Sequence, residues 1–193
     1  IPDTITFYDE DFILQANVES RENISKSQIP YFICKYFNPK RFDKNGDILD
    51  SEEEVEEKKE DMHNFLEAAK VIQQNNKYTC SKVINSEFFE NKDKFIEETD
   101  IIILLYVFTG NQNCMLNGFA LCEDLNLSPE PHNENVLYID AICCNPRKPR
   151  LDLNLKKISF GEKLINHIKY YAEYQKKYYG LSLSSLMYVM GYY

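Results

Sequence analysis

Five basic side chains, Arg147, Lys148, Arg150, Lys156 and Lys157, fall within eleven positions of a 193-residue chain whose formal charge is -9. They lead into "SFGEKLINHI" (159–168), and Leu164, Ile165, Ile168, Tyr171 and Ala172 then recur at helical spacing. A helix start leaves backbone N–H groups unpaired and carries the positive end of the helix dipole. A basic loop that enters such a start is suited to cradle a pyrophosphate. The same residues admit a second reading. Ser159 and Glu162 form an S-x-x-E capping box, which satisfies two of those N–H groups internally and leaves the lysines solvated.

Other residues raise chemical questions of their own. Asp140 stands inside "VLYIDAICC" (136–144), an apolar run, where a carboxylate is costly unless it is paired. It is therefore either functional or hydrogen-bonded structurally. Cys143 and Cys144 suggest a thiol nucleophile, but no histidine is placed beside them, and small buried residues are the better reading. The six cysteines form no C-x-x-C pair, which points to free thiols in a reducing, intracellular setting, cytoplasmic or nuclear. With three histidines and no ligand spacing, zinc is not expected. "FDKNGDILDSEEE" (42–54) imitates a calcium loop through Asp43, Asn45 and Asp47, yet Ile48 occupies the position that requires glycine. An Asp/Asn/Gly turn before a helix accounts for it.

The elements that must position these groups read as follows. "TITFYDEDF" (4–12) is a short strand, and "SQIPYFICKYFNPKRF" (27–42) is either a helical turn or a buried strand. From Ser51 to Gln74 the stripe Met62, Phe65, Leu66, Ala69 and Ile72 predicts a long helix. A shorter helix is expected at 85–98. "DIIILLYVF" and "MLNGFALCED" flank the turn residues "TGNQN" and predict an antiparallel hairpin. "VLYIDAICC" follows as a central strand covered on both faces. Then come irregular residues 145–160, a helix at 161–179 stopped by Gly180, and a strand at "LSLSSL" (181–186). This order predicts one domain of the α/β class, an α+β sandwich with helices packed on a mostly antiparallel sheet.

Composition limits the function. The run "DSEEEVEEKKED" (50–61) holds eight acids and two lysines and so carries -6 of the net charge. It reads as a solvated helix face, or more sharply as an acidic docking surface for a protein partner. The acidity argues against a nucleic-acid-coating role, because phosphate binding needs basic surface. The longest apolar run, "IIILLYVF", spans eight residues, short of the ~20 needed to cross a bilayer.

From residue 99 onward the chain resembles the GCN5-related N-acetyltransferase (GNAT) superfamily. The resemblance rests on the hairpin, the central strand, "KKISFG" (156–161) opening a helix, the strand after it, and the final "GYY". The family's pyrophosphate motif is Q/R-x-x-G-x-G/A; here Gly161 matches its last position, Lys156 its basic first, and Ser159 replaces its middle glycine. Residues 13–50 look like an insertion relative to that family. The resemblance implies that acetyl-CoA is bound by the backbone of Ile142, Cys143 and Cys144 and by Lys156, Lys157, Ser159, Phe160 and Gly161. Arg147, Lys148 or Arg150 would reach the 3′-phosphate. It implies an amine acceptor, either a protein lysine or N-terminus or a small amine. Asp140 and Glu123 or Asp124 would be candidate bases and Tyr193 the candidate acid. A GNAT-like domain that has lost catalysis and serves as an interaction module is the alternative.

Overall fold

The computed structural model describes residues 4–8, 31–49, 53–75, 80, 84, 90–108, 114–127, 134–144, 160–175 and 177–183. Among these residues six strands form one sheet in sequence order: β1 (Thr4–Tyr8), β2 (Tyr31–Phe37), β3 (Ile101–Phe108), β4 (Cys114–Asn126), β5 (Asn135–Cys144) and β6 (Gly180–Leu183). The first four pairings are antiparallel and only β5–β6 is parallel. The helices are α1 (Glu53–Gln73), α2 (Lys92–Glu98) and α3 (Phe160–Gln175), α3 being the crossover between the two parallel strands. The fold is α/β, as expected.

Each face of the sheet carries its own core. On one, Met62, Phe65 and Ile72 of α1 and Ile96 of α2 pack on Ile102, Leu104, Phe119 and Leu121. On the other, Leu164, Ile168, Tyr171 and Ala172 of α3 pack on Ile103, Leu105, Ala120 and Leu137. Burying one such large apolar side chain contributes about 1.5–3 kcal/mol, so the α1 stripe alone anchors that helix. Its members Met62, Phe65, Ala69 and Ile72 are fully buried. At Gly118 of β4 an added Cβ would lie 3.0 Å from the Cys143 carbonyl oxygen and 3.3 Å from Leu164, so glycine lets α3 approach the sheet.

Several sequence expectations need correction. The aromatic stretch, open between helical turn and buried strand, contains β2, an interior strand between β1 and β3. Of the expected first strand Thr4–Tyr8 is described and of the expected second helix Lys92–Glu98, with Glu90 also helical; residues 9–12 and 85–89 lie outside the described residues. α3 ends at Gln175 instead of running to 179, and Gly180 opens β6 rather than capping a helix. The cause is tertiary. Lys177 and Tyr178 turn back to bond Asp124, and the Tyr179 N–H donates to the Asn135 carbonyl at 2.7 Å, which commits the chain to strand.

The acidic run is not wholly solvated. Asp61, its last acid, is 2 % exposed, facing the sheet from α1. Its Oδ1 accepts from Tyr106 Oη at 2.9 Å and from Lys35 Nζ at 3.2 Å, while Asn64 donates to Tyr106 Oη at 3.1 Å. The Lys35 ammonium also lies 5.2 Å from the Tyr106 ring centre. The calcium-like segment is a turn: Asp43 Oδ1 accepts from the N–H groups of Asn45 and Asp47 at 2.8 and 2.9 Å, and Gly46 takes φ +83°. These N–H groups hold the Asp43 carboxyl below its ordinary pKa. Tyr106→Phe deletes one of the two donors to buried Asp61 and should cost about 1–3 kcal/mol. Urea unfolding checks it: the midpoint should fall with the slope unchanged.

Candidate functional site

β5 begins at Asn135, the lower end of the sheet, and ends at Cys144, the upper end. Its register with β4 runs Cys122↔Ile139 and then Leu121↔Ala141, so Asp140 is an extra residue, a β-bulge. Side chains alternate across a strand, and one extra residue reverses the faces beyond it. Leu137 and Ile139 accordingly face α3, whereas Ala141 and Cys143 face α1. The bulge also answers the cost expected for Asp140, whose side chain is exposed rather than buried in the strand.

The same reversal aims Cys143 at the α1 side, where it forms a disulfide with Cys80, 63 residues earlier. The expectation of free thiols is thus overturned for Cys80 and Cys143, and with it the support those two gave to a reducing compartment. Cys143 is a fully buried half-cystine, not a small free thiol. Cys34, Cys122 and Cys144 form no disulfide. Burial pushes the Cys34 thiol up to about 12 and raises that of Cys122 further, so neither supplies a thiolate nucleophile.

β6 pairs with β5 from Val136↔Gly180 to Ile139↔Leu183. Beyond Ile139, among the described residues, β5 is paired on its β4 side alone. Leu183, the partner of Ile139, is the last described residue of β6, and Ile142 and Cys144 further along β5 are half-buried. α3 starts with Phe160 and Gly161 after the connection from β5. Lys156, Lys157, Ser159, Tyr193, Arg147, Lys148 and Arg150 lie outside the described residues.

The two candidate bases are brought together. Glu123 faces Tyr138 across the β4–β5 ladder, one pair from the bulge. Desolvation first, then the carboxylates of Asp140, Asp100 and Glu98, raise the Glu123 pKa, with Lys40 opposing them. Desolvation first and then Glu98 raise that of Asp140. Asp124, the third candidate, faces the other way and is fully engaged: Lys177 Nζ donates to its Oδ2 at 2.8 Å and Tyr178 Oη to its Oδ1. It is a structural clamp. Sequence reasoning missed Cys80, Asp100, Lys177 and Tyr178, each of which acquires its role through a partner far away in the chain.

No protein-family model matches this chain, and no curated protein matches it either. No helix among the described residues is long and apolar enough to cross a membrane.

A carboxyl whose folded pKa exceeds its unfolded value binds more protons folded than unfolded. It favours folding below the unfolded pKa and loses that contribution as pH rises through the folded one. Glu123→Gln should therefore raise thermal stability at pH 7, by about 0.5 kcal/mol or less because the group is largely solvated, with the gain vanishing in acid. Melting curves at several pH values check this. Cys80→Ser, or reduction of the wild type, should cost about 2–4 kcal/mol in denaturant unfolding by freeing a long loop.

Proposed function

We propose that this chain is an acetyl-CoA-dependent N-acetyltransferase of the GNAT type, acting on an amine acceptor. The observation that carries the reading is the parallel pair of β5 and β6 with α3 as the crossover between them. Around that unit, the order of strands and helices from β2 onward agrees with the architecture that the sequence resemblance implies. In that comparison β2, rather than β1, takes the place of the family's first strand.

The upper end of β5 fits the cosubstrate. The backbone groups of Ile142, Cys143 and Cys144, beyond the last described pair with β6, would bind its extended amide-bearing chain in the manner of an added strand. The disulfide holds the Cys143 side chain on the α1 face, away from that chain. The first turn of α3, with Phe160 and Gly161, offers N–H groups to phosphates, and Lys156 and Lys157 supply positive charge just before it. Acetyl-CoA, when bound, supplies the acyl group as a thioester open to attack by an amine.

The chain's own task is proton handling. Asp140 at the bulge, or Glu123 beside it, takes the proton of the incoming ammonium. Partial desolvation first, then repulsion from Glu98 on Asp140 and from Asp140, Asp100 and Glu98 on Glu123, raise both carboxyl pKa values, which moves each toward a working pH as a base. The carboxylates of Glu98, Asp100, Glu123 and Asp140 together attract a cationic acceptor. Tyr193 is the proposed acid for the leaving thiolate.

Isothermal titration with acetyl-CoA tests the reading, and no binding at millimolar cosubstrate would sink it. Lys156→Glu should weaken that binding, and Asp140→Asn should lower turnover by about 10²–10⁴-fold while leaving cosubstrate affinity intact. Binding without turnover on a panel of amines and lysine peptides would instead support the interaction module.

A further inference from the structure

Cys80 is held at the upper end of β5 by two bonds of different kinds. One is the disulfide to Cys143. The other is local: the Ile84 N–H donates to the Cys80 carbonyl at 2.8 Å, and Ile84 is fully buried in the core on the α1 face. Cys80 itself packs against that core. Breaking the disulfide therefore removes one tether and leaves the other, so the Cys80 side chain stays beside β5.

There it has a neighbour besides Cys143. Its Sγ lies 3.1 Å from the carbonyl oxygen of Ile142. Successive carbonyls of a strand point to opposite sides of it. A Cβ added at Gly118 of β4 would lie 3.0 Å from the Cys143 carbonyl oxygen, so that carbonyl is directed to β4. The Ile142 carbonyl is then directed to the other side of β5, the side on which the amide-bearing chain of acetyl-CoA is proposed to lie.

The two redox states of Cys80 differ at this point by one hydrogen. A half-cystine carries none on its sulfur, whereas a thiol is a weak donor. In the disulfide Cys80 cannot donate to the Ile142 carbonyl; as a thiol it donates across that short distance. The two sulfurs also differ in access, because Cys80 is half-buried and Cys143 fully buried. A dithiol reductant therefore attacks at Cys80. Its thiolate bonds to Cys80 Sγ, the bond to Cys143 breaks, and the electron pair leaves on Cys143 Sγ, which takes a proton. The second thiolate of the reductant then displaces Cys80 and closes the reductant's own disulfide. Cys80 Sγ takes the second proton, so both hydrogens of the dithiol end on the protein.

We infer that the Cys80–Cys143 disulfide is a redox control on cosubstrate binding. The oxidised protein binds acetyl-CoA, and reduction weakens that binding by setting the Cys80 thiol on the Ile142 carbonyl in competition with an amide of the cosubstrate. This control rests on the acetyltransferase reading of the same site. A carbonyl oxygen has two lone pairs, so the competition weakens binding without abolishing it.

Isothermal titration with acetyl-CoA on the full chain compares oxidised wild type, wild type reduced with dithiothreitol, Cys80→Ser and Cys80→Ala. Both variants lack the disulfide, but a serine hydroxyl can donate to the Ile142 carbonyl and alanine cannot. Reduced wild type and Cys80→Ser should bind about three- to tenfold more weakly than oxidised wild type, as competition from one modest hydrogen bond requires. Cys80→Ala should stay within about twofold of oxidised wild type. A melting transition in each sample shows that the form measured is folded. If Cys80→Ser has none, reduced wild type against Cys80→Ala decides; if Cys80→Ala has none, Cys80→Val, equally unable to donate, takes its place. The inference is overturned if reduced wild type binds as tightly as oxidised. It is also overturned if Cys80→Ala is as weak as Cys80→Ser, since loss of the bridge alone would then explain the change. Binding by the oxidised form with no redox effect removes the control and leaves the acetyltransferase reading standing; no binding by the oxidised form removes both.

Discussion

One extra residue in β5 decides what the upper half of the sheet can do. Up to Ile139 the strand alternates so that odd positions face α3; after the bulge at Asp140 odd positions face α1. Without that reversal Cys143 would point at α3 and could not reach Cys80. The disulfide, the core contacts of Ala141 and the packing of Ile142 against the α3-side cluster all follow from it. The bulge also settles the status of a carboxylate in an apolar run. Burying an unpaired carboxylate costs several kcal/mol, so the strand places it where alternation fails and the side chain can turn out to water.

A second bulge makes the same kind of adjustment on the neighbouring strand. Leu105 pairs with Gly118 but Tyr106 with Leu116, leaving Asn117 as the extra residue of β4. Leu116 and Phe119 consequently share the α1 face, although three positions apart on a strand they would otherwise oppose each other. Asn117 is 1 % exposed and its Oδ1 is buried with no hydrogen-bond partner, so this bulge has an unrecovered desolvation cost. The two bulges bracket the segment where Gly118 lets α3 come close, so strand irregularity and helix position are solved together.

Periodicity carried the sequence reading where a segment meets one environment along its whole length. The α1 stripe, the β3–β4 hairpin and β5 were legible for that reason, because their apolar spacing reports burial directly. Legibility failed where a partner distant in sequence overrides the local signal. Asp61 sits in a run that reads as solvent-facing, yet Tyr106, 45 residues away, and Lys35, 26 residues away, supply its buried partners. Gly180 reads as a helix stop until Asp124 draws Lys177 and Tyr178 back to the sheet. The bulge at Asp140 was invisible for a different reason. An aspartate in an apolar strand announces a problem, but only pairing with β4 shows how the strand solves it. Of the candidate site, the sequence supplied the strand and both carboxylates; the bulge at Asp140 and the sulfur bridge arise from register and cannot be read from spacing.

The two ends of the sheet are physically coupled through the parallel pair. Among the described residues four pairs join β5 to β6, from Val136↔Gly180 to Ile139↔Leu183, and parallel pairing is the weaker kind per residue. A parallel pair of this kind gains from a clamp where it begins. That clamp is the set of bonds just before β6: the Tyr179 N–H to the Asn135 carbonyl, with Lys177 and Tyr178 on the two oxygens of Asp124. Asp124 is in turn fixed by its own N–H on Asp100, which Lys40 holds from the far side. The paired carboxylates of Asp100 and Asp124 are therefore the groups that keep the start of β6 docked, and they do so through partners 24 and 53 residues apart in the chain.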